Sequence, residues 1–409
     1  MLRPEDAWQR IEADGLLALE AQSASRAQAL WRVLAAPLPA EVDQPMADVA
    51  AMDGYALAGP VTAGMTLPVV GLAAAGRPSE RKLEAGAAIK IMTGAVVPAG
   101  ADRVLVVEAT DGGASQVKIL ATAPGSGAAA GENIRRRGEI VRRGEVLLPA
   151  GSLLTPGALS LAAGHGHGQV PIHRPPRVAM LTTGDEIVAP EAVPGPGQLR
   201  DSNTVFLAAA GLSLGLDFEH LGIARDERQD LETRIRKGLE ADVLLLCGGV
   251  SKGDFDFVEE VLATLGCRQL FDAVAIQPGK PLVAARHESG TWVFGLPGNP
   301  ASVMTCFWLF GRPLLRRLLG HADFFWQGAL RAELKAPVSG ARQRDRFVPA
   351  LVRAHEGRLL ADPQPPKGSH DVSTFARGTA LLRIPATVAR LEKGESCEIL
   401  PLASWPLAT

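Results

Sequence analysis

Apolar and polar positions follow two different patterns along the chain. After the Pro175–Pro176 pair, short apolar runs such as RVAML and ADVLLL lead into polar loops. Each loop is followed by a segment with apolar residues at helical spacing. Strands and helices that alternate in this way predict a doubly wound, parallel sheet with helices on both faces. The middle of the chain is therefore expected to be an α/β domain.

The regions on either side have other patterns. Residues 3–36 carry apolar residues at helical spacing, which predicts helix interrupted by a turn near residues 23–25. Residues 42–130 and 323–409 consist of short apolar runs between Gly and Pro, the pattern of β-rich domains. The sequence therefore predicts a multidomain protein in which an α/β domain lies between a β-rich domain and a small C-terminal β domain.

Length, charge and cysteine content restrict the class of protein. The chain has 409 residues, enough for several domains, and a net charge of −2, which gives no bulk attraction to nucleic acid or to a membrane surface. The cysteines lie far apart and form no CxxC pair, so no structural zinc site is predicted. The N-terminus is acidic, and the longest apolar stretch is interrupted by Gly311, Arg312 and Pro313. We expect a cytoplasmic protein without a nucleic-acid or membrane partner.

Polar loops directly follow the strand-like runs of the α/β region. They are TTGDE (182–186), GGVSKGD (248–254) and GLPGNP (295–300). Ligands of a doubly wound sheet bind beyond the carboxyl ends of the strands, so all of these loops can reach one crevice. Gly248, Gly249 and Gly298 allow the backbone to approach a ligand closely, and exposed amides favour an anion.

The acidic residues of these loops are suited to a metal ion. Glu186, Asp254 and Asp256 supply hard oxygen ligands for Mg²⁺, which binds carboxylates together with phosphate oxygens. Each loop by itself is also consistent with a structural turn, and the two aspartates with helix capping. Taken together, the loops favour a ligand that carries phosphate.

The β-rich half contains three less specific motifs. In MDGYA, Met52 and Tyr55 are expected in the core, with Asp53 and Gly54 in a hairpin turn. The segment GENIRRRGE (131–139) fits either an anion site or a solvated charged face. The histidines of GHGHG (164–168) have no carboxylate or third histidine next to them in sequence, so no metal site is predicted there.

Motifs along most of the chain resemble one protein family. They are MDGYAL, IMTGAVVPAGADRVLVVE, GENIRRRGE, VAMLTTGDEIV, GQLRDSN, GGVSKGDFDF, AIQPGKPL and GLPGNPAS. Their order and spacing resemble those of the molybdopterin molybdenumtransferase family, which includes the MoeA proteins and the E domain of gephyrin. No single motif is decisive, but the complete ordered set is specific and covers about residues 45–305.

The resemblance implies a homodimer of four-domain subunits. The expected domains are a helical and extended linking domain I (1–45 and 134–173), a β-rich domain II with MDGYA (46–133), an α/β molybdopterin-binding domain III similar to MoaB and Mog (174–322), and a barrel-like β domain IV (323–409). In the family, the active-site cleft lies between the α/β domain of one subunit and the MDGYA domain of the other.

The implied activity is the last step of molybdenum cofactor biosynthesis. Family members bind adenylylated molybdopterin and molybdate with a divalent cation, usually Mg²⁺. They transfer molybdenum to the dithiolene sulfurs and release AMP, with metal-assisted attack of water at phosphorus. The adenylyltransferase that makes the substrate and the apo-molybdoenzymes that receive the cofactor are the implied protein partners.

Residue roles follow from the matching positions. The resemblance implies catalytic roles for Asp53, Thr93, Glu186 and Asp226, and metal binding by Asp254 and Asp256. It implies substrate contacts for Gly248, Gly249, Ser251, Lys252, Lys280, Gly298, Asn299, Ser302, Arg344 and Ser369.

Several positions depart from the family pattern. Val49 and Ala50 remove two polar groups before MDGYA, and Ile140 follows RRRGE where an aspartate is usual. Lys252 replaces a more common valine and adds a cation beside the predicted phosphate site. The effect of these departures does not follow from the sequence.

Other functions stay open at this stage. The adenylyltransferase resembles the α/β domain and shares its GG loop, but it is a single domain without the β-rich halves. A scaffold role of the gephyrin type uses additional domains and linkers that these 409 residues do not show. Tungstate is as compatible with the sequence as molybdate.

Overall fold

The computed structural model describes residues 1–249 and 257–402. The chain forms two compact units, a first unit of Met1–Gln22 with His173–Thr409 and a second unit of Ser23–Ile172. The predicted site residues Ser251, Lys252, Asp254 and Asp256 lie outside the described residues. The division into four domains stays a prediction.

The described residues form helices and strands throughout both units. The helices are α1 (Pro4–Ala13), α2 (Arg26–Ala29), α3 (Pro156–Gly164), α4 (Asn203–Ser213), α5 (Arg228–Gly238), α6 (Val258–Thr264), α7 (Pro300–Cys306), α8 (Arg312–Leu318) and α9 (Ser373–Arg377), with a 3₁₀ turn at Val107–Ala109 and a π-helical segment at Phe307–Gly311. The strands are β1 (Ala21–Ser25), β2 (Leu38–Pro39), β3 (Val49–Ala50), β4 (Gly54–Leu57), β5 (Thr66–Ala73), β6 (Ala88–Ile91), β7 (Arg103–Val106), β8 (Gln116–Lys118), β9 (Ile134–Arg135), β10 (Val146–Leu148), β11 (Gln169–His173), β12 (Val178–Thr183), β13 (Ile187–Val188), β14 (Leu199–Arg200), β15 (Phe218–Ala224), β16 (Val243–Cys247), β17 (Cys267–Phe271), β18 (Ile276–Gln277), β19 (Val283–His287), β20 (Trp292–Leu296), β21 (Leu330–Leu334), β22 (Val338–Ser339), β23 (Asp345–His355), β24 (Arg358–Pro363), β25 (Ala380–Ile384), β26 (Arg390–Leu391) and β27 (Ser396–Pro401).

The first unit contains an α/β sheet with the strand order β15-β12-β16-β20-β19-β17. The strands β15, β12, β16 and β20 are parallel, as the sequence pattern predicts, but β19 runs antiparallel both to β20 and to the edge strand β17. A tight turn joins β19 to β20, in which His287 N donates to Thr291 O at 2.9 Å. Such a short connection cannot make the crossover that parallel strands need.

This sheet is covered on both faces. In β12, Val178 and Met180 join one apolar cluster, whereas Ala179 and Leu181 join another. Helices α1, α4 and α7 contribute to the first cluster, and α5 and α6 contribute to the second. A parallel strand buried on both faces must be apolar throughout, as VAML is. The predicted doubly wound arrangement is therefore confirmed.

The C-terminal part of the first unit is a small closed barrel. Its strands follow the order β23-β24-β21-β27-β25, and β25 pairs with β23 to close the ring. The short strand β18 joins β23 in parallel, which places Gln277 opposite Arg346. The predicted barrel-like C-terminal domain is confirmed, and its rim lies next to the loop that follows β18.

The second unit is mostly β-structure, as predicted. Its largest sheet has the strand order β7-β4-β6-β5-β8 and is mixed. Strand β4 is buried on both faces, with Tyr55 and Leu57 in one apolar cluster and Ala56 in another. In α3, the N-cap Thr155 accepts a hydrogen bond from Ala158 N at 3.2 Å.

The prediction of helix over residues 3–36 is wrong for most of that range. Helix α1 ends at Ala13, because Gly15 adopts a left-handed φ of +83° and closes the last turn by donating from its N to Glu12 O. The chain then becomes extended in β1, and only the single turn of α2 follows. Among the described residues, no helix is both long enough and apolar enough to cross a bilayer.

Candidate active site

The carboxyl ends of the four parallel strands meet at one edge of the α/β sheet. Backbone hydrogen bonds join neighbouring strand ends, since Gly184 N donates to Ala224 O at 3.3 Å and Gly248 N donates to Leu296 O at 3.1 Å. The polar loops predicted after these strands therefore begin next to one another. This edge is where ligands of doubly wound sheets bind.

Two of the predicted glycines at this edge, Gly248 and Gly249, have no room for a side chain. Gly248 has a φ of +95°, and a Cβ there would lie 2.7 Å from Thr183 O. At Gly249, with a φ of +64°, a Cβ would lie 2.8 Å from Thr183 Oγ1. A Cβ on Gly298 would lie 3.7 Å from Gly248 Cα, so the loops after β16 and β20 are in contact. Bare backbone therefore lines this part of the edge.

Asp201, to which the sequence analysis assigns no role, is a buried carboxylate at this edge of the sheet. Its carboxylate is buried, and Oδ2 accepts hydrogen bonds from Thr182 Oγ1 at 2.8 Å and from Thr204 Oγ1 at 2.7 Å. Oδ1 accepts from the backbone N of Asn203 and of Thr204, both at 3.0 Å. The carboxylate thus fixes the start of α4 to the end of β12. Asp201 belongs to the motif GQLRDSN, so the resemblance of this motif to the family pattern could have identified it as a site residue.

Asn203 connects α4 to the loop after β20. Its side-chain Nδ2 donates to Gly298 O at 2.8 Å and so holds the PGNP loop in place. Asn203 Oδ1 and Thr183 Oγ1 are both buried, and neither has a hydrogen-bond partner among the residues that the structure describes. Buried polar atoms are nearly always paired, so these two atoms are suited to meet polar groups of a ligand.

The predicted acidic residues Glu186 and Asp226 lie on adjacent loops. Asp226 N is 3.4 Å from Asp185 Oδ1, which brings the loop after β15 to the loop after β12. The Glu186 carboxylate folds over Gly184, where a Cβ would lie 2.6 Å from Glu186 Oε2. Within residues 1–249 and 257–402, no group of three or more His, Cys, Asp or Glu side chains forms a metal cluster.

Four of the predicted substrate contacts line one cavity of about 290 Å³, which we call the cationic cavity. They are Lys280, Ser302, Arg344 and Ser369. The walls also include Gln277, whose Oε1 accepts from Arg344 Nη2 at 3.3 Å, and Arg346. These residues come from the loop after β18, the first turn of α7, the start of β23 and the loop before α9.

The backbone around the cationic cavity is tightly constrained. Gly279 has a φ of +109°, and a Cβ there would lie 2.6 Å from Cys306 Sγ. Ser369 O accepts from Ala301 N at 3.0 Å, which ties the loop before α9 to the start of α7. Asn299, another predicted contact, uses its carbonyl oxygen to accept from Ser302 N at 2.9 Å. The cavity is thus bounded by segments that are bonded to one another.

In the second unit, the structure brings the predicted residues Asp53 and Thr93 together. The antiparallel pair of β4 and β6 places Gly54 opposite Ile91, so the residues just outside both strand ends are neighbours. Asp53 Oδ1 accepts from Thr93 N at 2.6 Å and from Thr93 Oγ1 at 2.7 Å. These bonds lower the pKa of Asp53, so its carboxylate is ionised near neutral pH.

The hairpin interpretation of MDGYA is wrong. Strand β4, which begins at Gly54, pairs with β6 and β7, whereas the preceding strand β3 pairs with β9. Met52 is exposed instead of lying in the core. Tyr55 is buried as predicted, and its hydroxyl donates to Gly113 O at 2.9 Å. Gly54 is required because a Cβ would overlap Leu105 O of β7.

Two of the three arginines of GENIRRRGE form ion pairs with aspartates of the same unit. Arg136 Nη1 lies 2.6 Å from Asp48 Oδ2, and Arg137 Nε lies 2.6 Å from Asp43 Oδ2. Glu132 accepts from the backbone amides of Gly125 at 3.2 Å and of Gly127 at 2.8 Å, and such bonds lower its pKa. Of the two interpretations, the charged face fits this arrangement.

The GHGHG histidines make local contacts. His165 Nε2 lies 2.9 Å from Gln44 Oε1, and His167 Nε2 lies 2.7 Å from Pro39 O. A carboxylate is in fact close in space, since Glu41 Oε1 is 3.6 Å from His167 Nδ1. The histidines therefore hold the segment around residues 39–44.

Comparisons with known proteins agree with this architecture. Three family models match consecutive parts of the chain. They are the MoeA N-terminal region with domains I and II (residues 2–166), a probable molybdopterin binding domain (residues 179–317), and the MoeA C-terminal region with domain IV (residues 331–402). Two crystal structures of the MoeA protein from Pyrococcus horikoshii are similar, with TM-scores of 0.83 and 0.80 and identities of 31% and 25%. They cover 99% and 98% of this chain and 100% of each matched chain.

Curated proteins named molybdopterin molybdenumtransferase are similar to this chain over most of its length. The chain is 33% identical over 406 residues to molybdopterin molybdenumtransferase 2 of Mycobacterium tuberculosis, a match that spans 96% of this chain and 98% of that protein. It is 31% identical over 396 residues to molybdopterin molybdenumtransferase of Bacillus subtilis, with 92% and 90% covered. The chain belongs to the MoeA family of molybdopterin molybdenumtransferases.

Proposed function

We propose that this protein inserts molybdenum into adenylylated molybdopterin and releases AMP in the last step of molybdenum cofactor biosynthesis. Its membership of the family supports a transferase role in that biosynthesis. The observation that carries the finer proposal is the cationic cavity, where predicted contacts from four separate segments converge. Molybdate is a tetrahedral dianion, and this cavity offers it positive charge and hydroxyl groups together.

The side chains of the cationic cavity can bind and orient an oxyanion. Lys280 offers up to three ammonium donors, and Arg344 has further N–H groups beside the one that bonds Gln277. The hydroxyls of Ser302 and Ser369 can donate to the remaining oxygens. Charge-assisted hydrogen bonds of this kind are stronger than neutral ones, so they hold the anion in a fixed orientation.

The glycine-lined edge of the α/β sheet is suited to the pyrophosphate link of the second substrate. Gly248 and Gly298 leave room for phosphate oxygens to approach the backbone. Thr183 Oγ1 and Asn203 Oδ1, which have no hydrogen-bond partner within residues 1–249 and 257–402, could provide two further polar contacts. The predicted contacts Ser251 and Lys252 follow Gly249 closely in sequence, but they lie outside the described residues and rest on the sequence alone.

A divalent cation fits the acidic loops at the same edge. Glu186 and Asp226 supply hard oxygen donors on loops that touch each other. Together with Asp254 and Asp256, they would hold Mg²⁺, which would neutralise charge on the pyrophosphate as its bond to AMP is cleaved.

Asp53 is the proposed catalytic carboxylate of the second unit. Thr93 uses its backbone and hydroxyl donors on Oδ1, whereas Oδ2 has no hydrogen bond to another described residue. This arrangement fixes an ionised carboxylate with one oxygen available to orient water or a cation. Thr93 acts as the residue that positions it.

The main experiment is a reconstitution assay. The protein is incubated with adenylylated molybdopterin, Mg²⁺ and either molybdate or tungstate, while released AMP and active cofactor are measured. We expect AMP release that depends on the oxyanion and on the metal. Lys280→Ala should lower this rate, whereas Lys393→Ala, which removes an exposed lysine outside the cavity, should not. AMP release that is independent of both oxyanions would contradict the proposal.

We also propose a homodimer whose cleft combines Asp53 of one subunit with the α/β domain of the other. Asp53→Asn and Arg344→Ala alter different units, so mixed dimers should contain one intact cleft. They are expected to recover up to about half the activity of a normal dimer. Light scattering gives the oligomeric state of the same samples. An active preparation that is monomeric, or mixtures without any recovery, would exclude this arrangement.

A further inference from the structure

The cationic cavity contains one more cation than the charge of molybdate requires. Lys280, Arg344 and Arg346 all line it, and no carboxylate is found among the described residues of its walls. Two positive charges would balance a dianion. The third one, Arg346, was not predicted from the sequence and therefore needs an explanation.

The position of Arg346 follows from the barrel. It lies on β23, two residues after Arg344, and alternate residues of an extended chain share a face. The parallel pair of β18 and β23 places it opposite Gln277, which also lines the cavity. Arg346 Nη1 donates to Ser339 O at 2.6 Å, which fixes the guanidinium at the cavity wall.

No described residue neutralises Arg346. It forms no ion pair with a described carboxylate, and partial burial lowers the pKa of its guanidinium, which stays charged in proteins. Arg383 on the neighbouring strand β25 is different, because its guanidinium bonds the carboxylates of Asp345 and Glu5. A partly desolvated cation without a counter-ion is costly, and an anion in the cavity would offset that cost.

We propose that Arg346 binds the oxyanion directly and makes the cavity select dianions over monoanions of the same shape. This inference rests on the proposed function, since it assigns a specificity residue to the same oxyanion site. Arg344 and Lys280 would still bind a tetrahedral monoanion. The third cation matters most when the ligand carries a second negative charge.

Coulomb's law gives this proposal a measurable signature. The interaction energy of a cation with a ligand scales with the ligand's charge, so the logarithm of the lost affinity should be about twice as large for a dianion. If Arg346→Gln weakens the monoanion about threefold, it should weaken the dianion about tenfold by the same scaling. A role limited to packing would weaken the two ligands equally.

The test uses tungstate and perrhenate, which are tetrahedral oxyanions of similar size with charges of −2 and −1. Their dissociation constants, and that of molybdate, are measured by titration calorimetry or by competition on the full-length protein. Arg346→Gln should lose more affinity for tungstate and molybdate than for perrhenate. Arg346→Lys, which keeps the charge, should retain most of the preference for dianions. Arg342→Gln is the matched control, because this exposed arginine nearby does not line the cavity.

The outcomes separate this inference from the proposed function. If the unmodified protein binds neither molybdate nor tungstate, the proposed function fails and this inference fails with it. If it binds them but Arg346→Gln behaves like Arg342→Gln, or weakens tungstate and perrhenate equally, only the role of Arg346 is wrong. Thermal melts verify that each variant folds. If Arg346→Gln does not fold, the test relies on Arg346→Lys, and loss of the dianion preference in that folded variant would overturn the proposed role of Arg346.

Discussion

The cationic cavity and the GENIRRRGE segment both concentrate arginine, but they use its charge in opposite ways. In the second unit, Arg136 and Arg137 are paired with Asp48 and Asp43. In the first unit, the guanidinium of Arg344 bonds only the neutral side chain of Gln277 among the described residues. Arginine charge is available to a ligand only where no carboxylate already pairs with it. A dense run of arginines is therefore not sufficient evidence of an anion site.

The aspartates of the second unit are held by the backbone as well as by the arginines. Asp48 Oδ1 accepts from Arg137 N at 2.8 Å, and Asp43 Oδ1 accepts from Arg143 N, also at 2.8 Å. These amide bonds are the main cause of the lowered pKa of both carboxyls. The carboxylates stay ionised and in place near neutral pH, so an incoming anion would have to compete with fixed counter-ions.

The largest effect is expected from Arg344→Ala. Hydrogen bonds to charged groups contribute about 1.5–3 kcal/mol. Their loss should raise the dissociation constant for molybdate by roughly 10- to 150-fold. The same variant should reduce AMP release at limiting molybdate. Arg342→Ala, close in sequence but outside the cavity wall, is the control. An unchanged molybdate affinity in folded Arg344→Ala protein would remove the contrast between the two regions.

Much of the cavity could be predicted from sequence motifs, but one arginine could not. Lys280 and Ser302 lie in motifs that resemble those of the family, and Arg344 and Ser369 match isolated family positions. Arg346 has no such motif. It reaches the cavity through the register of β18 against β23, which joins positions almost seventy residues apart along the chain. The local sequence pattern does not specify which strands pair when they are so far apart along the chain.

The same limit explains the other differences. The apolar run VAML predicts a strand buried on both faces, and β12 is such a strand. Residues 14–25 also carry some apolar positions, yet the left-handed conformation of Gly15 ends the helix there. The motif GQLRDSN assigns no role to Asp201 or Asn203, because their partners are far away in sequence: Thr182 is on β12, and Gly298 is in the loop after β20. The partners of Asp201 and Asn203 are determined by tertiary contacts, which the sequence pattern alone does not show.

A smaller effect is expected in the second unit from the combined variant Arg136→Ala and Arg137→Ala. Both arginines are largely exposed and already paired. Surface ion pairs contribute only about 0.2–1 kcal/mol each, so stability should fall slightly. Molybdate affinity should stay within about twofold of the unmodified value, since both guanidinium groups are already paired with aspartates and offer little free charge to an anion. A loss comparable to that of Arg344→Ala would mean that the tandem arginines also belong to an anion site.

The smallest effect is expected on the pH-dependent stability of the second unit, to which the ionised carboxylate of Asp48 contributes. Hydrogen bonding by Arg137 N, and then by Arg136, lowers the pKa of this carboxyl below its ordinary value of 3.8. A group with a lowered folded-state pKa stabilises the protein above its unfolded-state pKa, and this contribution is lost as pH falls through the folded-state pKa. Asp48→Asn should therefore lower the melting temperature by at most a few degrees near neutral pH, since the pair is partly exposed. The difference from the unmodified protein should shrink below about pH 3.8.

Thermal melts of the unmodified protein and of Asp48→Asn across an acidic pH series measure this difference. Glu84→Gln is the control, because it removes an exposed carboxylate that has no hydrogen bond to another described residue of the second unit. Its melting temperature should follow that of the unmodified protein at every pH. If Asp48→Asn does the same, then Asp48 is not a fixed counter-ion. Arg136, whose ion-pair partner is Asp48, would then be available to a ligand, and for this arginine the distinction between the charged face and the cationic cavity would fail.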